Sequence, residues 1–213
     1  MKPVRRNTER TLTARGSAKR AQIIDAAAGL ILTRGVAGTS LDDVMAASGA
    51  SKSQLYHYFT DKEALIREVI YLQTGRVLEA QRPEIDSLDS MAALHRWRNA
   101  MVELNKARGF AGGCPLGSLA NELAPQSESA RRLLANGFEV WAGRIGEGLK
   151  KMHERGELQS GALPDDLATA VLSAIQGGLL LSKTERASRP FELALDMALA
   201  YIRSHLAEEA PRA

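Results

Sequence analysis

The sequence predicts an all-α protein in two parts, a short N-terminal three-helix unit and a larger C-terminal helical body. Three observations carry this. Apolar residues recur at three- and four-residue spacing in segment after segment, the period of an amphipathic helix. The segments are bounded by Ser caps, Gly stops and Pro starts. No alternating apolar run longer than a few residues suggests a strand. At 213 residues, with 45% apolar and 25% charged side chains, the chain has a globular composition and the length for a substantial core.

Residues 1–16 are polar, with Pro3, Gly16 and scattered arginines. They read either as a flexible basic arm that touches phosphates or the minor groove, or as a mobile tail without a role. Ser17 is expected to cap a helix from about Ala18 to Arg34, with Ile23, Ala27, Leu30 and Ile31 as its apolar stripe and Gly35 as its stop. Ser40 is a good N-cap, and Asp43 puts a short acid in the first turn, close to a capping box. Leu41, Val44, Met45 and Ala47 follow at helical spacing, and Ser48-Gly49-Ala50 ends this short helix. Ser51 can cap a second one, Lys52 to Phe59. Two short helices joined by a tight Gly-containing turn make a helix-turn-helix, whose second helix enters the DNA major groove.

Leu55 and Phe59 are one turn apart and anchor that second helix. Lys52, Ser53, Gln54, Tyr56, His57 and Tyr58 are left over, polar or amphipathic and concentrated in two turns. Ser and Gln can bond base edges or phosphates, and Lys and the Tyr hydroxyl suit phosphates. Thr39, Ser40 and Ser51 at the helix starts complete the expected contact set. Thr60 and Glu63 are expected to form a capping box for a third helix, with Lys62 in its first turn facing phosphate. The plainer reading is a helical hairpin with a solvated face; the density of Ser, Lys, Gln and Tyr on one short helix argues against it. The helix-turn-helix unit is bounded at residues 17–63.

Charge is distributed to match. The net charge of +3 resolves into +5 up to Lys62 and −2 beyond it. Positive charge thus sits with the segment that needs a polyanion. One cysteine excludes an internal disulfide framework and a Cys-rich zinc site. His95, His153 and His205 lie on separate helices without i, i+4 pairing, and Gly109 to Gly113 lacks the Lys-Ser/Thr of a phosphate loop, so no metal or cofactor is expected. No apolar run reaches the roughly 18 residues that span a bilayer, and the N-terminus lacks a signal-peptide core. The expectation is a cytoplasmic protein with no membrane partner.

The body, residues 64–207, begins on the long third helix, Lys62 to about Arg82, which Pro83 ends. Pro83 to Ser87 reads as a linker. Ser90 caps a helix to Ala107, a Gly-rich break follows, and Cys114-Pro115 starts a helix to about Ala124. Further helices run from about Ser127 to Arg155, from Pro164 to about Lys183, and from Pro190 to about Leu206; residues 208–213 fray. Gln176-Gly177-Gly178 puts two adjacent glycines inside a helix, at about 1 kcal/mol each in propensity, as expected where backbones approach closely.

The run Ser51-Lys52-Ser53-Gln54-Leu55-Tyr56-His57-Tyr58-Phe59-Thr60-Asp61-Lys62-Glu63-Ala64-Leu65 resembles the recognition helix and following helix start of the TetR/AcrR transcriptional regulators. Ile23-Ile24-Asp25-Ala26-Ala27, Gly35 and Thr39-Ser40 fall where that family has them, so the resemblance covers about Lys19 to Val69. It implies a repressor that binds a palindromic double-stranded operator and is released by a small-molecule effector. It also implies a homodimer, formed through the helices at about 164–183 and 190–206, and an effector pocket in the body. Candidate pocket residues are Tyr71, Trp97, Met101, Phe110, Phe138 and Trp141, though Met and aromatic residues at helical spacing are more often plain core. Cys114 stands at the expected N-cap of a short helix, where a thiolate is stabilised. Gly113-Cys114-Pro115-Leu116-Gly117-Ser118-Leu119 resembles a subgroup in which such a Cys senses electrophiles or oxidants; a small buried packing residue is the alternative. A Cys114-dependent enzyme with His95 or His153 as base is a further alternative, and no enzymatic activity is expected.

Overall fold

The computed structural model describes residues 12–207. The first eleven residues of the basic arm and the expected frayed end lie outside that range. The described residues form nine α-helices and no strand; one isolated bridge pairs Leu158 with Leu206. The chain divides into two compact units, one up to Val69 and one from Ile70.

In the first unit, α1 spans Ala14–Arg34, starting earlier than Ser17 suggested, because the Thr13 hydroxyl accepts from the Gly16 N–H at 3.2 Å and caps the helix first. Its buried face is Ile23, Ile24, Ala27, Ala28 and Ile31, a stripe rotated from the expected one so that Leu30 sits at its margin. Gly35, at φ 75°, closes it. α2 spans Leu41–Ser48 and carries a full capping box: Ser40 Oγ accepts from the Asp43 N–H, and the Asp43 carboxylate accepts from the Ser40 N–H. Those bonds to Ser40 hold the Asp43 carboxyl below the usual carboxylate range. Gly49 ends α2 in the left-handed region at φ 58°. α3 spans Lys52–Tyr58, and Phe59 is already extended.

α4 spans Lys62–Glu79. Asp61 caps it in place of the expected Thr60 and Glu63 pair, since Asp61 Oδ1 accepts from the Ala64 N–H at 2.7 Å. That bond, first, holds the Asp61 carboxyl low. Ile23, Val44, Leu55 and Val69 are at most 1% exposed and form the heart of the first unit. Two long side chains tie its segments. Lys19 Nζ donates to the Ser48 and Gly49 carbonyls at the end of α2, at 2.9 and 3.0 Å. The Arg20 guanidinium lies 5.5 Å from the Phe59 ring centroid and pairs with Glu68 at 2.7 Å.

In the second unit, α4 stops at Glu79, short of the expected Arg82, and the expected linker is a short 3₁₀ helix, Glu84–Ser87, with Ile85 buried. The remaining helices are α5 Met91–Ala107, α6 Pro115–Leu123, α7 Glu128–Glu154, α8 Pro164–Glu185 and α9 Arg189–Arg203. α9 ends before Leu206; residues 204–207 are instead pinned by main-chain bonds, Gln159 N–H to His205 O and Ala207 N–H to Glu157 O, both at 2.9 Å. Arg98 joins α5 to α9 through a two-pronged pair with Asp196, at 2.8 and 2.9 Å. Of the two adjacent glycines in α8, Gly178 makes the close approach: an added Cβ would lie 2.7 Å from Ala194 Cβ and 2.9 Å from a Phe191 ring carbon of α9. Gly177 faces open space. By length and composition α8 alone among the described helices could cross a membrane, yet Leu167, Val171, Ile175 and Leu179 are buried inside the unit.

Candidate nucleic-acid interface and interior cavity

The first unit presents one polar face. Leu55 is fully buried and Phe59 is 2% exposed, so they fix the rotation of α3. Lys52, Ser53, Gln54, Tyr56 and His57 are thereby turned to solvent, with Ser40 and Ser51 exposed at the two helix starts. Tyr58 is half-buried and stacks edge-on with His57, centroids 5.0 Å apart.

Two expected contact residues are otherwise engaged. Thr39 is 2% exposed and donates to the Gly35 carbonyl at 2.8 Å, so it serves the turn before α2. Lys62 Nζ donates to the Val36 carbonyl at 2.7 Å, which commits one of its three donors to joining α4 to the end of α1. Gln54 has a double role that the sequence reading missed. It closes a second capping box: Ser51 Oγ accepts from the Gln54 N–H, and Gln54 Oε1 accepts from the Ser51 N–H at 2.9 Å. The signal was present as Ser-x-x-Gln. An open polar cleft beside α3 is lined by Thr13, Arg15, Gly16, Lys19, Gln54 and Tyr58. Arg15, expected in the basic arm, and Lys19, expected in the first helix, are brought to this surface together by the earlier start of α1.

The second unit holds a cavity of about 40 Å³, room for about three waters at roughly 10–15 Å³ apiece. Of the expected pocket residues, Met101, Cys114 and Trp141 line it. Trp97 is fully buried and does not line it. Tyr71 is 56% exposed, and Phe110 and Phe138 are half-buried without lining the cavity. Val77, Ala80, Gln81, Asn105, Arg108, Leu179 and Phe191 also line it. The polar groups are few: Asn105 Nδ2 donates to Ser182 Oγ at 2.7 Å, and Ser182 donates on to the Ala187 carbonyl.

Cys114 is the N-cap of α6, and its Sγ accepts from the Gly117 N–H at 3.4 Å. The sequence led to the expectation of a lowered thiol pKa. The structure reverses it: burial pushes the thiol above its ordinary value of 9.0, and the bond from Gly117 offsets this only in part. No histidine is among the residues lining the cavity beside Cys114, and His95 instead lies 3.0 Å from the Arg203 guanidinium. The raised pKa sets a pH dependence. Below the ordinary thiol value both folded and unfolded chains are protonated. Above it the unfolded chain ionises while the folded one resists, so stability is lost as pH rises from about 9 through the folded value. Urea midpoints of the parent are expected to fall more steeply across this alkaline window than those of Cys114→Ala.

A small helix-turn-helix unit with one polar reading face, joined to a helical body around an interior cavity, defines a DNA-binding transcriptional regulator. The chain belongs to the TetR family of bacterial regulatory proteins: residues 23–69 match that family, and residues 90–197 match the C-terminal domain of LmrA/YxaF-like transcriptional regulators. It is 30% identical over 186 residues to YxaF of Bacillus subtilis, an uncharacterised HTH-type transcriptional regulator, covering 85% of this chain and 93% of that one. It is 26% identical over 176 residues to the HTH-type transcriptional repressor DhaR of Mycobacterium sp., covering 81% and 86%. A TetR transcriptional regulator from Chloroflexus aurantiacus shares the fold, with a TM-score of 0.77, 23% identity and coverage of 91% and 98%.

Proposed function

We propose that the chain is a cytoplasmic homodimeric repressor that occupies a palindromic operator and leaves it when a small molecule fills the cavity of the second unit. The observation that carries this is the exposed set Lys52, Ser53, Gln54, Tyr56 and His57 on a helix whose rotation Leu55 and Phe59 fix. Lys52, Tyr56 and Ser51 are read as phosphate contacts, and Ser53, Gln54 and His57 as the base-facing set. Gln54 Oε1 uses one of its two lone pairs in the capping box, so the side chain offers the bases two N–H donors and one remaining lone pair. Its donors suit guanine N7 or O6 and thymine O4, and a donor with the remaining lone pair suits adenine N7 and N6.

Dimerisation is assigned to α8 and α9. Leu180 and Leu181 of α8, and Leu193, Met197 and Tyr201 of α9, are 46–64% exposed and leave an apolar face uncovered. A two-fold interface on this face sets two α3 helices at one spacing, as half-sites one helical turn apart require. The repressor named DhaR favours repression as the output. The run around Cys114 resembles the Cys-sensing subgroup, but its buried thiol and its bond from Gly117 favour a capping and cavity-wall role.

Selection of bound duplexes from a random pool tests the reading. The expected product is a palindrome bound with steep salt dependence. Equal retention of unrelated duplexes at moderate salt would refute operator recognition.

A further inference from the structure

Gln81 lies just past the end of α4 and is 4% exposed. Its Oε1 accepts the indole N–H of both Trp97 and Trp141, each at 3.2 Å, and its Nε2 donates to the Val77 carbonyl at 2.8 Å. A carbonyl oxygen has two lone pairs, so this acceptor is saturated. Trp97 stands on α5 and Trp141 on α7, both essentially unexposed. One amide thus ties the last turn of α4 to two other helices. Val77, Ala80, Gln81 and Trp141 also line the cavity. A molecule entering a space of about 40 Å³ has to move part of its wall, and the side chains hydrogen-bonded to each other in that wall include Gln81 with Trp141. A buried indole N–H that loses one acceptor needs another.

We propose that Gln81 is the positioning residue through which filling of the cavity reaches α4, and that the cavity takes a small, largely apolar molecule whose one oxygen accepts the Trp141 indole N–H. The occupant replaces Gln81 on Trp141, the amide loses one of its two anchors, and the end of α4 is released. α4 runs unbroken from Lys62, four residues past the end of α3, to Glu79, so a change at its end is carried along a continuous helix. The inference rests on the reading of the chain as an effector-released regulator.

The full chain is compared with Gln81→Met, which keeps the volume and removes the acceptor, and with Trp141→Phe, which keeps a ring and removes one donor. Circular dichroism verifies that each is folded. Both are expected to bind the selected operator about fivefold or more weakly than the parent, the low end of ordinary coupling, with non-specific DNA binding unchanged. Lower melting temperatures with unchanged operator affinity in both variants would reduce Gln81 to a structural role and overturn the proposal.

Cyclopentanone and methylenecyclopentane, matched in shape and differing in C=O against C=CH₂, probe the cavity. The chain's two tryptophans are the two that share Gln81, so all tryptophan emission reports this site. The ketone is expected to shift the emission and weaken operator binding, and the hydrocarbon to do neither. Equal responses to both, or none to the ketone, would overturn the assigned ligand chemistry. If the parent selects no DNA sequence, the regulator reading fails and the coupling to DNA fails with it; the emission response still decides what the cavity accepts.

Discussion

A Leu180→Asp, Met197→Asp double variant is expected to run as a folded monomer and to lose operator binding at concentrations where the parent is saturated. Both side chains are exposed on the uncovered face, at 63% and 64%, so neither change removes anything from the core of the unit. In a two-fold interface each substitution occurs twice. Burying a leucine or methionine contributes roughly 1.5–3 kcal/mol, and a carboxylate forced into the same apolar site adds a desolvation penalty. The dimer constant should weaken by at least about a thousandfold, roughly 4.1 kcal/mol. Analytical ultracentrifugation reads the monomer, and an unchanged melting cooperativity shows that the fold survives. A dimer that persists in this variant would move the interface off α8 and α9.

Removing the proposed phosphate contacts of Lys52 and Tyr56 should have the next largest effect. A Lys52→Ala, Tyr56→Ala protein is expected to bind the operator about a hundredfold more weakly at moderate salt. The slope of log affinity against log salt should fall by about 0.9 for each phosphate charge pair lost, so by roughly that amount for Lys52 in each half-site. Both side chains are exposed, so stability should change by no more than about 0.5 kcal/mol. Lys62→Met makes the contrast. Its ammonium bonds the Val36 carbonyl, so the loss should be felt in stability, at about 1.5–3 kcal/mol for a hydrogen bond to a charged group. Titration of labelled operator beside urea unfolding of the same samples separates the two behaviours.

The reading unit was largely legible because its signals are local. Ser40 and Asp43, Gly49, and the Leu55 and Phe59 pair act within four residues, and each took the role its spacing implied. The errors there were competitions between neighbours. Thr13 caps α1 before Ser17 can, and Asp61 caps α4 where Thr60 stood beside it. Gln54 was assigned to DNA alone although Ser-x-x-Gln also spells a capping box.

The cavity was much less legible, because its wall converges from α4, α5, α7, α8, α9 and the loop into the start of α6. Met101, Cys114 and Trp141 were found by residue type; Tyr71, Phe110 and Phe138 share the type but not the place. Gln81 gave no local signal at all. A glutamine near a helix end reads as solvated, and only the arrival of two indoles from residues 16 and 60 positions away makes it central. The doubled glycine in α8 was read as one feature and is two, since Gly178 meets α9 and Gly177 meets nothing.

The bare backbone at Gly178 has a mechanical consequence. With no side chain between them, α8 and α9 mesh at Ala194 and Phe191 like a closed seam, and neither can slide along the other without prying it open. Leu180, Leu181, Leu193, Met197 and Tyr201 are therefore carried on a single stiff plate. A second copy pressed against that plate meets a template that does not yield, and whatever compliance the body has must reside in the helices on its other side.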